Sequence, residues 1–207
     1  MKKIILLILI FQTPLIYYDQ IIAGELKVTT GKSNENYNYK KAYFAGGCFW
    51  CMEESFDKVE GVIKSISGYS GGKMKNPTYK DVIYKDTGHV ETIEITYDPN
   101  KVSYESLVNV FWKNIDPFDF QGQFCDKGYS YRSVAFHTSE SENLLIKESI
   151  NRLEIKFNKK IVTYVRKFDK FYKAEDQHQD YYKNNFINYL IYKKGCGRVN
   201  TLKKIWD

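Results

Sequence analysis

Cysteine is scarce in this chain, with four residues among 207. A small secreted domain held together by disulfides typically exceeds about 8% cysteine, so this class is excluded and any thiol chemistry must be local. Internal repeats and recognisable nucleic-acid-binding modules are also missing from the sequence. With 43% apolar residues the chain can build a folded core, and at this length we expect one compact domain.

Positive charge is concentrated toward the C-terminus. Residues 147–207 contain 15 basic and seven acidic residues, whereas the whole chain carries only +6. A basic region rich in tyrosine is one mark of a nucleic-acid-binding protein. Because no binding module accompanies it, we interpret the region as a solvated lysine surface and expect no nucleic-acid partner.

The N-terminus has an apolar run, but it is short for a membrane span of about 20 residues. Met1-Lys2-Lys3 is followed by Ile4–Tyr18, which three less apolar residues interrupt. This pattern predicts a signal peptide over residues 1–23 and export to the periplasm or the exterior. If the signal is not cleaved, the same segment would tether the chain to a membrane. Residues 24–40 would then be a flexible leader into a domain at 41–207.

Hydrophobic periodicity predicts an α+β fold, a two-layer sandwich with helices against a mixed sheet. The helices are expected at 49–57, after a cap at Ser103, and from Ser139 or Ser141 to Phe157. A glycine-rich loop is expected at 68–79 and a long irregular loop at 116–129. The expected strands are 41–45, 62–67, 90–97, 131–137 and 161–165.

The sequence GGCFWC at 46–51 places a cysteine where a glycine turn enters a helix. Unpaired N–H groups and the helix dipole favour a thiolate there, so Cys48 is a candidate nucleophile. The two glycines would leave open space beside its sulfur. Phe49 and Trp50 could wall a small apolar pocket around the group that Cys48 attacks. The alternative is that the cysteines are inert core residues and the aromatic rings are packing.

Cys48 and Cys51 also form a CxxC pair, which has two standard meanings. A zinc site would need two more ligands, but the other cysteines and the histidines are scattered singly, so we expect no metal. A thioredoxin-like redox pair fits the strand-to-helix context, although its central residues are usually small or Gly-Pro. That alternative stays open.

Glu91 is the second candidate. Side chains alternate along strand 90–97, so Glu91 shares the apolar face of Ile93, Ile95 and Tyr97. A buried carboxyl resists ionisation and can donate a proton near neutral pH. A solvated position at a frayed strand end is the alternative.

These residues lie in ordered blocks that resemble the type A peptide methionine sulfoxide reductases. The match runs from about Tyr43 to Trp206. It implies a ferredoxin-like sandwich with a long wrapping C-terminal segment, and reduction of the S epimer of methionine sulfoxide, free or in proteins. The blocks are GGCFWCMEESF (46–56), GYSGG and NPTY (68–79), TGHVE (87–91), YDP (97–99), FWKNIDP (111–117), DKGYSYRS (126–133) and FYKAEDQHQDYY (171–182).

The resemblance also implies roles for individual residues. Cys48 matches the nucleophile and Glu91 the acid, while Phe49 and Trp50 match the pocket for the substrate methyl group. Tyr79 and Tyr131 match the hydroxyls that bind the sulfoxide oxygen. Asp126 matches a carboxylate beside the site. His178, in the last block, is expected to hold the C-terminal segment through hydrogen bonds.

The reaction would leave a sulfenic acid on Cys48, which a second thiol must convert into an intramolecular disulfide. Cys196, between glycines near the C-terminus, resembles the resolving cysteine of family members, and we rank it above Cys51 and Cys125. No bound cofactor is expected. The expected partners are the oxidised methionine and an external dithiol reductant of thioredoxin type, acting on a monomer.

Two other function classes are kept for comparison. A disulfide oxidoreductase would use Cys48 and Cys51 without reducing sulfoxides. A non-enzymatic, exported binding protein would use its basic C-terminal region to attach to anionic polymers.

Overall fold

The structure, a computed structural model, describes residues 38–207. The predicted signal peptide (1–23) and most of the predicted leader (24–40) lie outside the described residues. Within residues 38–207, none of the helices has the length and apolar character that crossing a bilayer requires.

Strands and helices alternate from β1 to α3, the described residues end in three consecutive helices, and two 3-10 turns occur at Tyr129–Tyr131 and Asp176–His178. The strands are β1 (Lys40–Ala45), β2 (Val62–Ser70), β3 (Val90–Tyr97), β4 (Gly122–Gln123), β5 (Asp126–Lys127), β6 (Val134–His137), β7 (Tyr164–Lys167) and β8 (Phe171–Lys173). The α-helices are α1 (Phe49–Asp57), α2 (Tyr79–Tyr84), α3 (Tyr104–Lys113), α4 (Glu140–Phe157), α5 (Tyr181–Asn184), α6 (Phe186–Gly195) and α7 (Arg198–Trp206).

Six strands form one sheet in the order β7-β6-β1-β3-β2-β8. All neighbours are antiparallel except β6 and β7, which are parallel, so the predicted mixed sheet is confirmed. Phe44 of β1 stacks on Phe56 of α1 and Phe111 of α3, with ring centroids 5.5 and 5.0 Å apart. These buried rings join the sheet to both helices and form the centre of the core.

The second strand is longer than the glycine pattern predicts. β2 continues through Gly68, Tyr69 and Ser70, which pair with β3 on one side and β8 on the other. A Cβ on Gly68 would lie 2.3 Å from the ring of Phe171, so this glycine permits close approach of β8 rather than a turn. The predicted loop at 68–79 is therefore wrong for its first three residues, and it ends where Tyr79 begins α2.

Three further boundaries differ from the sequence-based prediction. The expected irregular loop at 116–129 contains the β4-β5 hairpin. Tyr131 lies in a 3-10 turn rather than in a strand, because pairing of β6 with β1 begins only at Val134. The last predicted strand, 161–165, lies at Tyr164–Lys167, where the chain pairs in parallel with β6. The leader also ends earlier than expected, since Lys40 already belongs to β1.

The C-terminal segment returns to the sheet and to α1. Gln179 accepts a hydrogen bond from the N–H of Ser67 and donates one to its carbonyl, both at 3.0 Å. The N–H of Asp180 donates to the carboxyl of Glu53 at 3.0 Å. Arg198, buried in α7, donates to the carbonyl of Asn114. These contacts join the C-terminal segment to β2, to the middle of α1 and to the end of α3.

Candidate active site

Cys48 directly precedes α1, and its carbonyl accepts the N–H of Cys51 at 3.2 Å. Gly47 enters this turn with a φ of +80°, a conformation that favours glycine. The space that the sequence predicts beside the Cys48 sulfur is present as a small pocket that Cys48 lines. Beside Gly47 itself there is none, because a Cβ on Gly47 would lie 2.5 Å from the Gln123 side chain. Gln123 therefore closes that side of the turn, and Cys48 is only 5% exposed.

The seven side chains that the sequence predicts as nucleophile, acid, oxygen-binding hydroxyls, carboxylate and pocket walls lie together. They come from the start of α1, the start of α2 and β3, the β4-β5 hairpin and the following 3-10 turn. The structure adds one residue that the sequence reasoning missed, Tyr192 of α6. The small pocket is lined by Cys48, Phe49, Trp50, Tyr79, Glu91, Asp126, Tyr131 and Tyr192.

Glu91 is buried at the start of β3, as the strand alternation predicts. Burial raises the pKa of Glu91 well above its usual range, and the nearby charge of Asp126 raises it further. One carboxyl oxygen accepts the N–H of Phe49 at 2.9 Å, which offsets part of this rise in pKa and fixes the carboxyl against α1. Burial therefore favours the protonated form of Glu91 inside the pocket.

Two phenols stand beside this carboxyl. Tyr79 and Tyr131 both line the pocket, and burial raises the pKa of both hydroxyls above the usual value for tyrosine. The backbone N–H of Tyr79 donates to Glu175 at 2.8 Å, which positions the first turn of α2. With Glu91, the phenols supply the pocket with three neutral O–H groups.

The cysteine pair at the start of α1 differs electrostatically from the sequence-based expectation. Burial raises the pKa of the Cys48 thiol well above its usual range, and its hydrogen bond to Cys51 acts in the same direction. That hydrogen bond, with the positive charges of Arg198 and Lys193, lowers the pKa of Cys51 to about 6. Desolvation thus outweighs the helix dipole at Cys48. The two shifts have opposite directions, so Cys51 is the neighbouring side chain that can accept the Cys48 proton.

Asp126 and Tyr192 connect the pocket to the C-terminal segment. The hydroxyl of Tyr192 donates to the carboxyl of Asp126, and Tyr192 lines the pocket together with Cys48. Burial raises the pKa of Asp126, and the bond from Tyr192 offsets part of that rise. One turn earlier on α6, Tyr189 donates to Glu54. Tyr189 and Tyr192 are three residues apart and so share one helix face, and Tyr192 lies four residues before Cys196. This spacing is the sequence signal that could have indicated Tyr192.

The other two cysteines are joined in a disulfide, Cys125–Cys196, across 71 residues of sequence. This pairing is not among those that the sequence reasoning considered, each of which involved Cys48. The Cys196 sulfur lies 4.0 Å from the Asp126 carboxyl, so the disulfide adjoins a residue of the pocket wall. Cys48 and Cys51 are free thiols.

Cys125, Asp126 and Cys196 are also the one cluster of potential metal ligands within residues 38–207, with ligand atoms within 4.8 Å of each other. While its two sulfurs are joined to each other, they cannot act as thiolate ligands.

Aromatic rings form the outer wall of the pocket. The Trp50 ring stacks on Tyr181 with centroids 3.8 Å apart, and His178 packs between Trp50, Phe49 and Tyr79. Neither ring nitrogen of His178 has a hydrogen-bond partner among the described residues. The expectation that His178 holds the C-terminal segment through hydrogen bonds is therefore wrong, because the imidazole contributes ring packing instead.

This arrangement is that of a thiol-based reductase site. A thiol with a proton acceptor beside it faces neutral O–H donors across a pocket with aromatic walls. Such a site can attack an electrophilic atom while protonating the oxygen bonded to it.

The comparisons with known proteins agree with that class. The family model for peptide methionine sulfoxide reductase matches residues 40–207. The chain is 46% identical over 165 residues to peptide methionine sulfoxide reductase MsrA 2 of Rhizobium meliloti, covering 80% of this chain and 82% of that protein. It is 45% identical over 169 residues to MsrA of Listeria innocua, covering 81% and 96%.

Solved structures agree as well. Reduced Mxr1 from Saccharomyces cerevisiae matches with a TM-score of 0.67 and 28% identity, over 71% of this chain and 86% of that one. Methionine sulfoxide reductase A of Corynebacterium diphtheriae matches with a TM-score of 0.65 and 28% identity, over 71% and 75%. The chain belongs to the peptide methionine sulfoxide reductase family, and its enzyme class by homology is peptide-methionine (S)-S-oxide reductase.

Proposed function

We propose that this protein reduces the S epimer of methionine sulfoxide, free or in proteins, through a sulfenic acid on Cys48. The observation that carries the proposal is the buried Glu91 carboxyl, whose pKa is raised by burial, in one pocket with Cys48 and two phenols. A sulfoxide has a polarised S–O bond, so attack at sulfur requires a proton at oxygen. Glu91 donates that proton, and Tyr79 and Tyr131 hold the oxygen.

The first step converts a thiol and a sulfoxide into a sulfenic acid and a sulfide. Cys48 passes its proton to Cys51 and attacks the sulfoxide sulfur. The oxygen, protonated by Glu91, moves to the Cys48 sulfur as methionine leaves. Phe49 and Trp50 enclose the substrate methyl group, and Asp126 lies where it can accept a hydrogen bond from the substrate backbone.

Cys196 then resolves the intermediate. Its thiol attacks the Cys48 sulfenic acid, which forms a disulfide and releases water. Cys125 attacks the Cys196 sulfur and frees Cys48, leaving the Cys125–Cys196 disulfide. The short path from Cys196 through Asp126 to the pocket, and the exposure of Cys125, support this order. Cys51 is the alternative resolving thiol, because it hydrogen-bonds to Cys48.

An external dithiol protein of thioredoxin type would reduce the Cys125–Cys196 disulfide and return the enzyme to its starting state. Mxr1 from Saccharomyces cerevisiae has been solved in complex with Trx2, and that chain shares the fold at 21% identity and a TM-score of 0.50. For this protein the support is the disulfide itself, which lies at the surface, where a partner can reach Cys125.

The finer features of the molecule are part of the same proposal. The order β6-β1-β3-β2, antiparallel throughout, supports a ferredoxin-like core with a wrapping C-terminal segment. The pattern of residues 1–23 supports a signal peptide, so we propose an exported reductase with its catalytic domain at 41–207, tethered to the membrane if the signal is retained. We propose a monomer that needs no bound cofactor or metal.

The experiment that tests this function measures methionine formed without any reductant. We expect fully reduced protein to form two methionines per chain from methionine-S-sulfoxide and none from the R epimer. The first turnover ends in Cys125–Cys196 and the second leaves Cys48 oxidised. In Cys125→Ser we expect one methionine per chain, because the disulfide cannot move to Cys125 and Cys48 stays bonded to Cys196.

Two results would count against the proposal. A folded sample that makes no methionine would exclude the reductase function. A yield of one per chain in both proteins would show that the Cys125–Cys196 disulfide is a static link, and peptide mapping would then identify the thiol paired with Cys48.

Removing Cys51 should move the acid limb of the pH profile. In the native protein the rate falls below pH of about 6, where Cys51 becomes protonated and can no longer accept the Cys48 proton. In Cys51→Ser, Cys48 must ionise alone in a buried site, so the limb should move to higher pH. The measurement is kcat/KM against pH with excess dithiothreitol, and an unmoved limb would contradict the proton-acceptor role.

A further inference from the structure

Helix α6 carries large apolar side chains on its solvent side. Phe186, Ile187, Leu190 and Ile191 are 55%, 66%, 43% and 67% exposed. At 3.6 residues per turn, these four positions share one face about 140° wide. We call them the outer face of α6.

The inner side of α6 is aromatic and polar. Tyr189, 1% exposed, and Tyr192 point into the protein, where their hydroxyls reach Glu54 and Asp126. The helix is therefore anchored by tyrosines, and the described part of the chain leaves its apolar face uncovered. This reverses the usual orientation of an amphipathic helix, and an uncovered apolar face marks an interaction surface.

The charge around the outer face has one sign. Residues 181–206 contain six basic residues and no acidic residue. Lys183 and Lys193 pair with carboxylates of the protein body. Lys194, Lys203 and Lys204 are exposed, and within the described part of the chain they form no ion pair. On the helical wheel Lys194 lies near the centre of the outer face, so an unpaired positive charge stands within the apolar surface itself.

We propose that the outer face of α6 docks onto a negatively charged lipid surface. The four apolar side chains would enter the boundary between headgroups and acyl chains, and the free lysines would meet lipid phosphates. At Lys194, apolar and electrostatic attraction act on the same face of α6. The docking would hold the helix that carries Tyr192 of the pocket beside membrane-associated substrates.

Two other occupants fit this surface less well. A second copy of the chain would bring two basic surfaces together, which like charges oppose. A protein reductant must reach the Cys125–Cys196 disulfide. Cys196 caps α6 at a helical position roughly 150° from the centre of the outer face. A partner bound to the outer face would therefore lie away from the disulfide sulfurs.

The test is hydrogen–deuterium exchange of the full chain with vesicles of phosphatidylglycerol and phosphatidylcholine. We expect amides of Phe186–Gly195 to exchange about tenfold more slowly on these vesicles and at an unchanged rate on pure phosphatidylcholine. Because the readout is local, binding through the apolar N-terminal run does not produce it.

Matched variants sharpen the result. The double variant Ile187→Glu/Ile191→Glu should lose the protection of α6. The control Ile155→Glu alters an isoleucine of α4 that is 82% exposed and should keep it. Activity with dithiothreitol and free methionine sulfoxide should be unchanged in both, which separates this inference from the proposed reductase function.

Three results would overturn the inference. The first is unchanged exchange in α6 while the protein is bound to the vesicles. The second is equal protection on neutral lipid. The third is protection without lipid that grows with protein concentration, which would indicate a second copy on the outer face.

Discussion

Replacing Cys48 by serine should abolish methionine sulfoxide reduction, even with excess dithiothreitol. The hydroxyl of serine stays neutral in this buried position and cannot take the sulfoxide oxygen, so kcat/KM should fall by more than about 10³-fold. The substitution replaces only the sulfur atom, by oxygen, so the core around α1 should remain intact. The measurement is methionine released from methionine-S-sulfoxide.

Cys125→Ser is the matched control for that variant. It makes the same chemical change at a cysteine outside the pocket lining, and dithiothreitol can reduce the disulfide that it leaves between Cys48 and Cys196. It should therefore keep most of the steady-state activity. Equal loss in both variants would contradict the assignment of Cys48 as the nucleophile.

Glu91→Gln should lower kcat by about 10² to 10⁴-fold, the usual contribution of a positioned general acid. Its pKa lies well above the usual range because of burial, and the reaction uses the protonated form. In the native protein the rate therefore falls as pH rises through that pKa. Glutamine has no proton to transfer, so the variant should be slow and should lose this alkaline limb.

Stability gives an independent check on Glu91. A carboxyl whose pKa is raised by folding stabilises the protein fully below its unfolded pKa, and this contribution is lost as pH rises toward the folded value. Glutamine does not ionise, so the variant should unfold at a higher temperature than the native protein at neutral pH. Lower thermal stability together with an unchanged pH profile would contradict a protonated Glu91.

The sequence predicted the pocket better than the fold around it. Cys48 and Glu91 could be singled out because a glycine turn before a helix and a strand alternation are local patterns. The bounds of β2 and β6 could not, because Gly68 pairs with an edge strand about 100 residues away and β6 pairs only from Val134. Glycine in a loop and glycine under an aromatic ring look the same in sequence.

Local sequence patterns also could not predict which residues the C-terminal segment adds to the site. Tyr192 reaches Asp126 and Cys125 reaches Cys196 only after α6 returns to the sheet. The raised pKa of Cys48 could not be read from local patterns for a related reason. The helix dipole is visible in the sequence, whereas the burial that outweighs it depends on Gln123 and on α6.

The central claim is that the Cys48 sulfur receives the sulfoxide oxygen, and trapping that product tests it most directly. The double variant Cys51→Ser/Cys196→Ser lacks both resolving candidates nearest the pocket. It is mixed with one equivalent of methionine-S-sulfoxide and a dione that reacts with sulfenic acids, then digested for mass spectrometry. We expect one adduct, on Cys48, in the same amount as the methionine formed. Methionine without an adduct on Cys48, or an adduct on Cys125 instead, would contradict the account.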